Sequence, residues 1–222
     1  MVADQYDYWV FDLDGTLVDA EWSYTRSVFD EVGDRLGRAF TDRETELLWH
    51  GLTGPRNDLL CQWEIDPDGF WEVFHAVEDP QVRAEHSYLH EDAAFVADLD
   101  EPVGLVTHCQ QFLADPVLDH LDVRDWFDSV LCCTDEVGWK PDPTPVETVL
   151  ADLGVAHNGH AGVLAGDGPS DVGAAWNAGL DAVHVERHDP EERGHCVLAD
   201  YRVNRLDELV GVDSRREYRS GR

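Results

Sequence analysis

The chain has 222 residues, a mass of 25.0 kDa and a formal net charge of −31, from 47 Asp plus Glu against 16 Lys plus Arg. That length fits one large domain or one domain carrying an insertion, and a hydrophobic share of 43% with 8 Trp supplies enough apolar surface for a core, which excludes intrinsic disorder. No basic stripe interrupts the negative charge, so nucleic-acid phosphates and anionic membranes are excluded as partners.

The first strand-like run is Tyr6–Phe11. It leaves no room for a cleaved leader, and no apolar run approaches the ~18 residues that span a bilayer, so a cytoplasmic location is expected. Directly after it stands Phe11-Asp12-Leu13-Asp14-Gly15-Thr16-Leu17-Val18-Asp19. Side chains alternate along a strand, so carboxylates at i and i+2 beside its end can face one pocket. Like charges held that close favour a divalent cation between them. Gly15 lets the backbone turn tightly and present amides to an anion. By composition alone, Asp-x-Asp-Gly also suits a hairpin turn; a calcium loop is excluded because its further spaced ligands do not follow.

From Glu21 to Glu85 the pattern is helical, as in Tyr24, Val28, Phe29, Val32 and Leu36, and again in Phe70, Trp71, Val73 and Phe74. Asp66-Pro67 and Asp79-Pro80 each favour a new helix start. Trp22, Trp49, Trp63 and Trp71 suggest that this stretch has a small core of its own. The expected organisation is a catalytic core over 1–20 and 86–213, a helical cap over 21–85 covering a sheet-edge site, and a frayed Arg-rich tail over 214–222. Helices that merely pad the sheet would give the same periodicity.

Beyond the helical stretch, strands are expected at Val103–Thr107, Ser129–Cys132, Gly162–Ala165 and Ala182–Val185, and helices near Gln110–Leu121, Pro143–Leu153 and Pro169–Ala178. Apolar runs such as Gly104-Leu105-Val106 and Val163-Leu164-Ala165 suit central strands covered on both faces. The alternation implies right-handed crossovers. The expected fold class is therefore α/β: a doubly wound, Rossmann-like parallel sheet with an inserted α-helical cap. Ligands of such sheets sit beyond the carboxyl ends of the strands.

Four motifs now stand in order, each after a predicted strand: Asp12-Leu13-Asp14-Gly15-Thr16-Leu17-Val18-Asp19; Val103 to Thr107; Gly138-Trp139-Lys140-Pro141; and Gly166-Asp167-Gly168-Pro169-Ser170-Asp171. The set resembles the haloacid dehalogenase-like hydrolase superfamily, and the helical insertion after the first motif is similar to that of its phosphoglycolate phosphatase-like and β-phosphoglucomutase-like members. The resemblance implies an enzyme acting on a small phosphorylated metabolite with Mg²⁺ as cofactor. It makes Asp12 the nucleophile that forms an aspartyl-phosphate and Asp14 the general acid, then base. Thr107 would bond a phosphoryl oxygen, and Lys140 would neutralise its charge and hold Asp12 ionised. The Asp12 and Asp167 carboxylates and the Asp14 carbonyl would hold the metal, with Asp171 orienting water or Lys140 from behind.

Family dehalogenases expel halide without protonation and lack the second Asp, so Asp14 favours phosphoryl transfer. The expected activity is a phosphatase; the alternatives are a sugar-phosphate mutase and, from another class, a non-catalytic anion-binding protein on the same fold. His108 follows Thr107 where Asn is common, and contributes either its backbone amide or its imidazole. Gly51-Leu52-Thr53-Gly54-Pro55-Arg56 resembles a cap loop facing the pocket. Arg56 is then either a contact for a second charged group of the substrate or a surface residue paired with Asp58.

Lys140 is the sole lysine, and the other 15 cations are Arg. Its survival in such a composition suggests a requirement for a compact ammonium. Asp outnumbers Glu 30 to 17, which resembles proteins of a salt-saturated cytoplasm, where a short Debye length tolerates the charge. Cys61, Cys109, Cys132, Cys133 and Cys196 have no zinc or disulfide spacing and read as buried small hydrophobes. His157, His160, His184 and His188 show no ligand spacing and read as surface or packing residues. The oligomeric state is not readable from the chain.

Overall fold

The computed structural model describes residues 5–156, 159, 161–194 and 196–210. His157, His160 and the Arg-rich segment 214–222 lie outside the described residues. The strands are β1 Tyr8–Phe11, β2 Val18–Ala20, β3 Ser87–Leu89, β4 Val103–Thr107, β5 Ser129–Cys132, β6 Gly162–Gly166, β7 Asp181–Val185 and β8 Tyr201–Val203. The α-helices are α1 Trp22–Leu36, α2 Asp42–Trp49, α3 Arg56–Gln62, α4 Pro67–Val77, α5 Pro80–Glu85, α6 Gln111–His120, α7 Thr144–Asp152, α8 Pro169–Asn177 and α9 Pro190–Arg193.

Six strands form one parallel sheet in the order β5-β4-β1-β6-β7-β8. β1 lies at its centre, with Phe11 opposite Leu105 on one side and Ala165 on the other. Alternation along the strands divides the core into two layers. Trp9, Phe11, Leu105 and Val183 share one face with Ala114, Val117 and Leu118 of α6. Tyr8, Val10, Val106 and Leu164 share the other with Val146 and Val149 of α7 and Val172 and Ala175 of α8. Helices on both faces make the fold the doubly wound α/β sheet that the sequence pattern predicts.

The chain leaves the sheet after β1 and returns before β4 through a two-stranded antiparallel ribbon, with Val18 opposite Leu89 and Ala20 opposite Ser87. Between the two ribbon strands lie α1–α5. Asp66 and Asp79 cap α4 and α5 by accepting from Gly69 N and from Gln81 N and Val82 N, with Pro67 and Pro80 opening the helices. A third apolar cluster fills this layer around Phe29, Phe40, Phe70 and Phe74. Tryptophan is not its centre: Trp22 is 41% exposed, and Trp49, Trp63 and Trp71 flank the cluster. An indole N–H needs an acceptor, and Trp49 and Trp71 find theirs at the rim, in Asp19 and Asn57. α5 packs instead on α6 and sends Ala84 into the layer beneath the sheet.

Two further expectations change. Of the five cysteines, all free thiols, only Cys133 is buried, while Cys61 and Cys196 are exposed. β2, β3 and β8 span three residues each, too short for an alternating pattern to register. His184 is fully buried in β7, and the His188 ring lies 4.3 Å from that of His50. No helix among the described residues is long and apolar enough to cross a membrane.

Candidate active site

The chain order reverses around β1, with β4 and β5 on one side and β6, β7 and β8 on the other. Crossovers leave such a point in opposite directions, and a crevice opens at the carboxyl ends of the strands. Asp12 follows β1, Thr107 ends β4 and Asp167 follows β6, so three of the motifs meet there. Lys140 reaches in from the loop after β5, and Asp171 from the first turn of α8. All five are buried.

Lys140 joins them. Its Nζ donates to Asp12 Oδ1 at 2.5 Å and to the Val106 carbonyl at 2.9 Å, and pairs with Asp171 Oδ1 at 2.7 Å. The Thr16 hydroxyl donates to Asp12 Oδ2 at 3.1 Å and accepts from Asp167 N at 3.0 Å, which ties the first motif to the fourth. Asp171 Oδ2 accepts from Gly168 N at 2.9 Å, closing the turn at the start of α8. Thr107 Oγ1 accepts from Cys109 N at 2.9 Å. Gly15 adopts φ +80°, and a Cβ placed there would stand 2.8 Å from Asp167 Oδ2. Only glycine fits both that dihedral and that approach.

Oxygens of Asp12, Asp167 and Asp171 all lie within 4.8 Å of one another. Burial pushes the Asp12 carboxyl up to about 7; repulsion from Asp171 and Asp14 adds to this, while Lys140 opposes it. Burial, with repulsion from Asp12 and Asp171, holds Asp167 well above the usual range. Asp171 also suffers burial, but attraction to Lys140 and the bond from Gly168 leave it lowered. Lys140 overcomes its own burial through Asp12 and Asp171 and stays protonated. An oxygen-only donor set whose members resist ionising together fits a hard divalent cation. The Asp14 carboxylate points elsewhere, accepting from Arg83 Nη2 at 2.5 Å.

The sequence profile described as haloacid dehalogenase-like hydrolase matches residues 9–185, a span holding all four motifs. This chain belongs to the haloacid dehalogenase-like hydrolases. It is 26% identical over 186 residues to a phosphoglycolate phosphatase of Photorhabdus laumondii, covering 78% of this chain and 77% of that one. It is also 26% identical over 194 residues to the fructose-1-phosphate phosphatase of Escherichia coli strain K12, covering 82% and 97%. A haloacid dehalogenase-like hydrolase from Streptococcus pneumoniae has the same fold, with a TM-score of 0.74 at 17% identity over 93% of this chain and 98% of its own.

In this hydrolase His108 and Arg56 both stand close to the acidic cluster. The His108 ring packs edge-on against Trp139 at 5.5 Å, its Nε2 buried without a partner. Burial, with Lys140 nearby, lowers it to about 3, so the imidazole is neutral. Arg56 bonds to the Leu48 and Trp49 carbonyls at 2.6 and 2.8 Å rather than to Asp58. Those carbonyls end α2 and lack helical partners, which is why a guanidinium at the start of α3 is drawn to them. Burial lowers Arg56, with the carboxylates of Asp167, Asp14, Asp12 and Asp171 acting against it.

Sequence reasoning missed three arginines around these carboxylates. Arg83 of α5 holds Asp14 and lies 4.7 Å above the Trp49 ring. Arg187 donates to the Thr16 carbonyl at 2.6 Å and pairs with Asp92 at 2.9 Å, bracing the first motif from outside. Arg193 closes α9 with Nη2 3.8 Å from Asp167 Oδ2. Each stands in a polar stretch such as Pro190-Glu191-Glu192-Arg193, which reads locally as surface. Only the strand order, absent from local patterning, brings them inward.

Proposed function

We propose that this hydrolase is a phosphatase that cleaves a small organic phosphate monoester, of the phosphoglycolate or sugar-phosphate kind, through an aspartyl-phosphate. The observation that carries the reading is Asp12 buried and ion-paired to Lys140, with a second carboxylate, Asp14, two residues on and oriented by Arg83. The phosphatase activities for which the two relatives are named agree with it. A carboxylate oxygen of Asp12 attacks phosphorus, the bond to the ester oxygen breaks, and Asp14 gives that oxygen its proton. Asp14 then takes a proton from water as it attacks phosphorus. The bond to Asp12 breaks, and inorganic phosphate leaves. The Thr107 hydroxyl and the His108 backbone amide offer donors to the phosphoryl oxygens and Lys140 supplies positive charge, whereas the Gly15 amide is taken by the Val18 carbonyl at 2.8 Å.

The Asp12 and Asp167 carboxylates with the Asp14 carbonyl would hold Mg²⁺, while Asp171 keeps Lys140 in place. When bound, Mg²⁺ supplies the positive charge that lets Asp12 and Asp167 ionise together and that offsets the phosphoryl oxygens. We read residues 21–85 as a cap: Asp12, Thr107, Lys140 and Asp167 are buried, Asp14 is partly exposed and held by Arg83 of α5, and movement of the cap would admit a substrate. Arg56, on this layer, is the candidate contact for the distal part of the substrate. The surface charge fits work at high salt.

The test is inorganic phosphate release from a panel of phosphate esters in molar KCl with Mg²⁺. Turnover without added sugar bisphosphate supports a phosphatase. Transfer back to sugar phosphate only when bisphosphate is present indicates a mutase, and inertness toward the whole panel indicates a non-catalytic anion binder.

A further inference from the structure

Arg193 has the least explained position among the buried cations. It is 1% exposed, yet Nε, Nη1 and Nη2 have no hydrogen-bond partner, and the nearest carboxylate oxygen is Asp167 Oδ2 at 3.8 Å. Other arginines at the site have partners: Arg83 bonds Asp14, Arg187 bonds Thr16 and Asp92, and Arg56 bonds two carbonyls. Arg83 and Arg187 each leave one buried nitrogen unpartnered, where Arg193 leaves all three. A guanidinium carries five N–H groups and does not lose its proton, so burying it without acceptors is costly. Such a group persists where an acceptor arrives from outside.

The surroundings identify the acceptor. Lys140 is committed to Asp12, Asp171 and Val106, so the transferred phosphoryl group already has its cation. Arg193 lies on the Asp167 side, under the helical layer. A Cβ on the next residue, Gly194, would stand 3.4 Å from Thr53 Cγ2, so the end of α9 abuts the loop that leads into Arg56. The charges of both Arg56 and Arg193 act on the buried ring of His50. Two cations thus stand at the seam between sheet and helical layer.

We propose that Arg193 is a specificity residue that receives a second anionic group of the substrate, a carboxylate on the alcohol portion of the phosphate ester. Its planar donors match a carboxylate in bidentate fashion. This rests on the phosphatase reading and narrows its substrate class to acidic phosphate esters.

The experiment compares kcat and KM for 2-phosphoglycolate and ethyl phosphate, two small esters differing in the carboxylate, in wild type, Arg193→Gln and Arg193→Lys, in molar KCl with Mg²⁺. Wild type should prefer 2-phosphoglycolate. In Arg193→Gln the ratio of kcat/KM for 2-phosphoglycolate over ethyl phosphate should fall about 10- to 100-fold, mainly through KM. Arg193→Lys, which keeps the charge beside Asp167, should recover part of that ratio. Equal losses on both esters through kcat would mean that Arg193 only positions Asp167, and would overturn the proposal. So would a wild type indifferent to the carboxylate. A wild type inert toward both esters and the wider panel is the distinct failure of the phosphatase reading, and this proposal falls with it.

Discussion

Lys140 Nζ meets three acceptors, Asp12 Oδ1, Asp171 Oδ1 and the Val106 carbonyl, at 2.5, 2.7 and 2.9 Å. Two hydrogen bonds and the ion pair to Asp171 enclose the ammonium, and at 5% exposure no space is left for a larger head. Lys140→Arg keeps the charge but forces a planar fork into that space. We expect kcat to fall on the order of 100-fold or more in a phosphate-release assay, and a near-normal rate would refute this account of the sole lysine. Asp12 carries a second prediction. Its carboxyl rises from 3.8 to about 7, chiefly through burial, so the metal-free fold keeps a proton that the unfolded chain has lost. Stability from that proton is present at low pH and is lost as pH rises through about 7. A divalent cation replaces the proton, so Mg²⁺ should raise Tm more at pH 8 than at pH 6. An equal rise at both pH values would contradict this linkage.

The elements show why the site was more legible than its surroundings. Three of the four site motifs sit at the ends of strands whose apolar runs are buried on both faces, β1, β4 and β6, and such runs announce themselves in sequence, whereas β5 before Lys140 is only partly buried. Asp12, Thr107 and Asp167 could therefore be placed by counting from strand ends. The ribbon β2–β3 and the arginines Arg83, Arg187 and Arg193 could not, because their partners lie far along the chain and leave no local period. The helical layer lies between these cases. Asp-Pro breaks marked its helices, but its centre is Phe29, Phe40, Phe70 and Phe74, with ring centroids 5.5–6.3 Å apart. Phe70→Ala should destabilise this layer by about 3–5 kcal/mol, and Trp22→Ala, on an exposed ring, by less than about 1 kcal/mol. Hydrogen exchange of α1 and α4 measures both. Exchange that spreads equally through β1, β4 and β6 in Phe70→Ala would show that the layer does not open independently of the sheet.

For the whole molecule, a net charge of −31 sets the conditions under which the site operates. The Debye length is about 10 Å at 0.1 M salt and 3 Å at 1 M, so surface carboxylates repel across the fold in dilute buffer and are screened in concentrated salt. Tm should therefore rise as KCl increases from about 0.1 M to 1 M; a Tm that falls would separate the composition from any need for salt. Within the crevice the balance is local, since Lys140, Arg56, Arg83 and Arg193 lie among the carboxylates of Asp12, Asp14, Asp167 and Asp171. A phosphate ester approaching a negative surface thus finds cations at its destination. The central claim is that Asp12 takes the phosphoryl group, and the most direct measurement is phosphate release by Asp12→Asn beside wild type in molar KCl with Mg²⁺. The account predicts a loss of about a thousand-fold or more in kcat with the fold retained by circular dichroism, and an Asn variant that turns over within about tenfold of wild type would contradict it.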